Sequence, residues 1–339
     1  MRRTLLSLAI LVLAALACTN TPAVQPTVIP TPHPTTIPQP TSPSRDSTLP
    51  AVVKMMPEDD AWLPVIAPGW SRPVPLGRPI NTAGGEDSPF VTPDGETLYF
   101  FFTPDVRIPA NEQLFDGVTG IWVSHREGES WTEPERVPLA APGDLHLDGC
   151  PFVQGDWMVF CSAREGNVRE IDLHTAELVD GSWTNWQLWG EPFITYDVGE
   201  MHITADGRFL FFGSLRPGGY GGSDLWVSEK TGGEWGEPVN LGPQINTEGD
   251  ENRPFVTADG QELWFDSTSG QGYPGPAVYR SIRQPDGSWG PREEIVSSFA
   301  GEPNLTGDGR TLYFVHHFYS SDLSQMLEAD IYVATRTSE

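Results

Sequence analysis

Five acidic residues recur along this chain: Glu86, Asp148, Glu200, Glu251 and Glu302, spaced by 62, 52, 51 and 51 residues. Each stands at the start of a short run of aromatic and β-branched residues, so a fold that repeats with this period brings the five carboxylates together. Carboxylates held close repel one another, and some rise in pKa unless a cation or hydrogen-bond donors neutralise them. A hard cation such as calcium suits oxygen ligands, although the pattern requires no cofactor. Arg164 and Arg216, each just after a second strand-like run, are candidate salt-bridge partners. A glycoside hydrolase would cast Glu86, Asp148 and Glu200 as acid and as nucleophile or base. Catalysis needs carboxylates in unlike environments, whereas here the acid repeats alike. The reading adopted is a non-catalytic ring at the mouth of a channel, with a glycoside hydrolase as the alternative.

Other reactive residue types form weaker patterns. His146 and His202 flank acidic positions, His316 and His317 follow a strand-like run, and His125 and His174 fall at the periphery; zinc-type spacing is absent. The run GGYGG at 218–222 lies between two strand-like runs, so it is no phosphate cradle. Aromatic residues are expected on loops beside the carboxylates: Phe115, Trp186, Trp189, Tyr196, Tyr220, Tyr273, Phe318 and Tyr319. Their flat apolar faces suit sugars or peptides. Cys150 and Cys161 flank a Gly155-Asp156 turn. Counting outward from a two-residue hairpin sets them opposite each other and predicts a disulfide.

The elements that must position these groups are four-stranded units, best seen in residues 199–241. Met201–Thr204 and Phe209–Phe212 flank an Ala-Asp-Gly turn, a glycine-rich loop leads to Leu225–Ser228, and Trp235 introduces a last strand to Leu241. Five copies follow one another. Their second strands begin at Leu98, Met158, Phe209, Leu263 and Leu312. A period near fifty with four strands per unit predicts an all-β, five-bladed β-propeller. The Trp-to-Pro feature of the fourth strand also occurs at Trp70, before the first copy, while the last copy stops after its third strand. Residues 70–76 are therefore expected to complete the last blade and close the ring, which removes the open edges.

The motifs SPFVTPDGETLYF (88–100), RPGGYGGSDLWV (216–227) and INTEGDENRPFVTADGQELWF (245–265) resemble the TolB-like, WD-like propeller repeats of bacterial envelope proteins. The resemblance covers residues 70–335. It implies binding or scaffolding in the cell envelope, and it brings no catalytic residues with it.

Arg2 and Arg3 precede an apolar run from Leu5 to Leu16, too short to span a bilayer as a helix and ordered like a secretory signal. Ala15-Leu16-Ala17-Cys18 resembles the bacterial lipoprotein box, with Ala15 where leucine is commoner; the resemblance implies lipidation of Cys18. Residues 1–17 are thus read as a signal, 18–55 as a Thr/Pro-rich extended tether, and 60–339 as the propeller. From residue 51 onward there are 45 acidic residues against 17 Lys and Arg, a balance of −28. That argues against nucleic acid and against docking on anionic lipid. The expectation is an extracytoplasmic monomer, held to the membrane only by its lipid, that binds an envelope glycan or protein.

Overall fold

The computed structural model describes residues 44–190, 193, 195, 196, 198–270 and 272–337. Cys18, the leader and most of the Thr/Pro-rich segment lie outside the described residues. The chain is all-β, built from five antiparallel repeats. The first strands of the repeats are Gly85–Val91, His146–Gln154, Val198–Ile203, Glu251–Val256 and Ala300–Leu305. The second strands are Thr97–Thr103, Trp157–Arg164, Phe209–Ser214, Glu262–Ser267 and Thr311–Tyr319. Third strands follow, and each repeat pairs them in sequence order.

Local chemistry explains the hairpins. In four repeats a threonine hydroxyl donates to an aspartate two residues on: Thr92 to Asp94, Thr204 to Asp206, Thr257 to Asp259 and Thr306 to Asp308. The same carboxylate accepts the N–H of the residue after the glycine. These bonds hold all four aspartates below the usual carboxylate pKa range. The intervening Gly95, Gly207, Gly260 and Gly309 have φ between 66° and 78°, where a side chain would be strained.

Second strands carry the core. Phe100, Phe160, Phe212, Phe265 and Phe314 occupy the same position in successive repeats and are fully buried, each stabilising by about 2–3 kcal/mol. The first strand of each repeat lies against that of the next, and that of the fifth against that of the first. Side-chain amides tie neighbouring repeats together. Asn246 bonds both the N–H and the C=O of Leu225, and Asn81 does the same with Ile331.

The N-terminal segment supplies outer strands to two repeats. Val74–Pro75 pairs with Val333 and Tyr332, and Trp70 bridges to Arg336. Upstream, Val65–Ile66 pairs with Ser297 and Val296 of the fourth repeat, an addition the sequence did not announce. Within the segment assigned to the tether, residues 44–55 are not a free spacer. Arg45 is 2% exposed. It donates to the Ile80 carbonyl at 2.8 Å and lies over the Phe100 and Phe102 rings. Lys54 bonds Glu328 and Asp330. The partners lie far along the chain, so composition alone could not reveal this packing.

Candidate functional site

The five first strands meet at an axial pocket, and a β-bulge in each strand decides what faces it. Pairing skips between Asp87 and Phe90, Gly149 and Phe152, Val198 and Met201, Asn252 and Phe255, and Gly301 and Asn304. Four bulge residues have positive φ: Ser88 at 48°, Cys150 at 55°, Arg253 at 52° and Glu302 at 59°. Each is followed by proline. Ser88, Cys150, Glu200, Arg253 and Glu302 are therefore the equivalent positions, and all five line the pocket.

This corrects the expectation of a ring of five like carboxylates. Glu200 and Glu302 sit at the bulge and reach the axis. Glu86, Asp148 and Glu251 sit two residues earlier, buried within their own repeats, because the extra residue of a bulge resets which side chains point inward. Glu86 accepts from the Thr82 N–H and hydroxyl at 2.9 and 2.6 Å and pairs with Arg45 at 3.4 Å. Glu251 accepts from the Thr247 N–H and hydroxyl, from Ser267 and from Arg292. Asp148 is held by His146, Ser162 and Arg164, the last at 2.7 Å. Burial works to raise Asp148, but His146, Arg164 and Ser162 together keep it below the usual range. Burial pushes Glu86 up to about 7 in spite of Arg45.

Other expected site residues also fall elsewhere. Arg216 is no salt-bridge partner of an axial carboxylate. Its guanidinium stacks over Phe212 at 4.7 Å, Tyr196 at 5.3 Å and Trp226 at 5.4 Å. Phe318 is not on a loop: the second strand of the fifth repeat runs to Tyr319, and Phe318 is fully buried in it. Tyr319 stacks on Phe299 at 4.4 Å. Tyr220 and Tyr273 are on exposed loops, as is Phe115. Cys150 and Cys161 are joined, with Cα atoms 5.4 Å apart. The register differs from the outward count, because the bulge puts Gly149 opposite Cys161 and leaves Cys150 unpaired in the ladder.

At the pocket Arg253 is the central cation. It lies 2.7 Å from Glu302, 3.2 Å from Asp266 and 3.5 Å from Glu200. Ser88 gives its N–H to Glu302 at 2.6 Å and its hydroxyl to Glu200 at 3.0 Å. Burial alone would weaken the Arg253 charge, but the surrounding carboxylates hold its pKa well above the ordinary value. Burial drives Glu302 well up and Glu200 to about 7, against the pull of Arg253. Asp87 feels the same burial, yet its hydrogen bond with Glu302 and the nearby His317 and Arg253 keep it below the usual range. Burial lowers His317 to about 4, so the ring is neutral at pH 7.

Beneath this polar cluster lies an aromatic tier from the next residues of the same strands. Phe90 meets Phe152 at 5.4 Å, Phe152 meets His202 at 5.3 Å, and His202 meets Phe255 at 4.6 Å. Asn304 completes the tier and accepts the Val91 N–H. Beside the mouth, the disulfide, Phe101, Leu147, Ala163 and Ile171 form an apolar wall facing Asp87, Asp148 and Glu200. Sequence reasoning missed Asp87, Ser88, Arg253 and Asp266. Aligning the repeats on the proline after the bulge would have found Ser88 and Arg253.

No family model matches the chain, and no curated protein matches it. Among solved structures it is similar to an alpha-L-arabinofuranosidase from Lactobacillus brevis at 13% identity and a TM-score of 0.47, over 76% of this chain and 92% of that one. An alpha-L-arabinofuranosidase from Podospora anserina, in complex with cellotriose, is similar at 12% identity and a TM-score of 0.48, over 78% and 94% of the two chains. A putative TolB from Agrobacterium tumefaciens is similar at 15% identity and a TM-score of 0.41, over 76% and 92%. Likeness at this level transfers neither a ligand nor a reaction.

Proposed function

We propose that the five repeats are the blades of a closed β-propeller, and that this propeller is a lipid-anchored, extracytoplasmic binding module for an envelope glycan or protein. The cyclic contact of the first strands and the pairing of Val74–Pro75 with the last strand support the closed ring. One observation carries the functional reading: the axial pocket presents partly exposed Glu200 and Arg253 above an aromatic floor. Such a pocket suits a ligand bearing hydroxyls or positive charge. Binding is favoured over hydrolysis because Arg253 and Ser88 both bridge Glu200 and Glu302, leaving neither free to attack or to activate water.

A glycoside hydrolase is the second reading, and Glu200 is what favours it, since a carboxyl raised to about 7 is suited to general acid work. The two are separated by incubating the protein with peptidoglycan fragments, arabinan and xylan oligosaccharides. The binding reading expects saturable binding weakened by Glu200→Gln and no new reducing ends. Replacing Tyr220 and Tyr273 by Ala is expected to weaken binding by about 1–3 kcal/mol in total. Release of reducing ends that Glu200→Gln abolishes would establish the hydrolase instead. Protection of the Asp-Gly hairpins in hydrogen exchange on ligand addition, with the opposite loops unchanged, would remove the axial face as the site. For the anchor, Cys18→Ala is expected to release the protein from membranes; retention as firm as wild type would refute it.

A further inference from the structure

We propose that Asp87, Glu302 and His317 form a binding site for a divalent transition-metal ion of the zinc or manganese class. One potential ligand atom from each lies within 4.8 Å of the other two, a spacing that small movements convert into a shared coordination sphere. The three come from two neighbouring repeats: Asp87 and Glu302 from adjacent first strands, His317 from the second strand of the fifth repeat. They are therefore presented by paired strands, which hold ligands more firmly than loops do.

Carboxylates in proximity do not make a metal site, and a second feature points to a ligand here. His317 is 7% exposed, and its Nε2 has no hydrogen-bond partner among the described residues. Glu302 is 4% exposed, and its Oε1, although 2.7 Å from Arg253, makes no hydrogen bond of good geometry either. Buried polar atoms left in this state are costly unless something unseen completes them. Arg253 lies within 3.5 Å of three carboxylates, Glu200, Asp266 and Glu302, so acidic groups outnumber the cation here.

The donor set chooses the metal. Imidazole with two carboxylates matches zinc and manganese, whereas calcium prefers a larger all-oxygen shell. This differs from a calcium ion on five repeated carboxylates, three of which are turned away into their own repeats. The inference goes beyond the glycan- or protein-binding reading and does not depend on it.

The test uses tag-free protein stripped with EDTA, dialysed, and titrated calorimetrically with zinc, manganese and calcium chlorides. One equivalent of zinc or manganese is expected to bind, more tightly than calcium. His317→Gln and Asp87→Asn are each expected to weaken it by at least about tenfold, the lower bound seen even for outer-sphere partners. No stoichiometric binding of either ion overturns the proposal, as does binding unchanged in both variants, which would mark an adventitious surface site. Electron spin echo spectroscopy of the manganese-loaded wild type needs no variant. It is expected to show coupling to one imidazole nitrogen, and its absence overturns the assignment.

Discussion

His202 occupies a place in the aromatic tier where three other repeats carry phenylalanine, and this predicts a pH-dependent inversion on His202→Phe. The ring is 8% exposed and lies between Phe152 and Phe255. Burial lowers its pKa from 6.5 to about 3. A histidine depressed in this way binds a proton in the unfolded chain but not in the folded one. Stability is then complete above about pH 6.5 and falls as the pH drops below it. At pH 5, about 1.5 units below the unfolded value, the loss is about 2 kcal/mol, and near pH 8 it vanishes. Phenylalanine does not titrate and escapes this loss. It also gives up the ring's hydrogen bond to the Val256 backbone, which costs about 1 kcal/mol at any pH. The variant should therefore be less stable than wild type by about 1 kcal/mol at pH 8 and more stable by about 1 kcal/mol at pH 5. Thermal or urea melts of both proteins at the two pH values measure this directly. Contributions from every other titrating group cancel in the difference, so a wild-type-to-variant gap that stays constant between pH 8 and pH 5 would refute the reasoning.

Deleting residues 65–78 removes the outer strands of the fourth and fifth repeats and is expected to lower the melting temperature of the whole head; an unchanged value would rule out their role in closure. Arg253→Met leaves the axial carboxylates without their cation and is expected to cost about 3–5 kcal/mol. The loss should be smaller at pH 5 than at pH 8, because unpaired buried carboxylates with raised pKa values are stable when protonated and lose stability as pH rises; an equal loss at both would count against the cluster. Replacing Cys150 and Cys161 by Ser should cost about 2–3 kcal/mol for so short a loop, and free thiols at both positions in the non-reduced wild type would reject the bridge.

The features legible in the sequence were those written in adjacent residues. The Thr-x-Asp-Gly turns, the aromatic second strands and the Trp70 segment each follow from local pattern, and the strands stand where that pattern put them. The axial site was harder, because a bulge inserts one residue and inverts the facing of all that precede it. Spacing near fifty residues made Glu86, Asp148 and Glu251 look equivalent to Glu200 and Glu302, although only the latter pair reach the axis. Arg253 was invisible for the same reason, standing where a neighbouring repeat has Glu302. Arg45 and Lys54 were obscured differently. A basic residue in a Pro/Ser/Thr-rich stretch looks solvated until its partners, such as Asp330, are known to lie beside it.

The pairing of Val74 with Val333 spans 259 residues, and this imposes an order on how the molecule is made. The Val74–Pro75 strand is made before any of the five repeats, yet its partner is among the last residues to appear. It must wait, unpaired, while four repeats and most of the fifth are synthesised. Tying ends that far apart costs only about 5 kcal/mol of chain entropy, which the finished head recovers, but the delay itself cannot be shortened. Until Tyr332 and Val333 arrive, two strand edges stand open to any extended chain nearby. Those last few residues add little material, yet they supply the partner that the Val74–Pro75 strand has waited for.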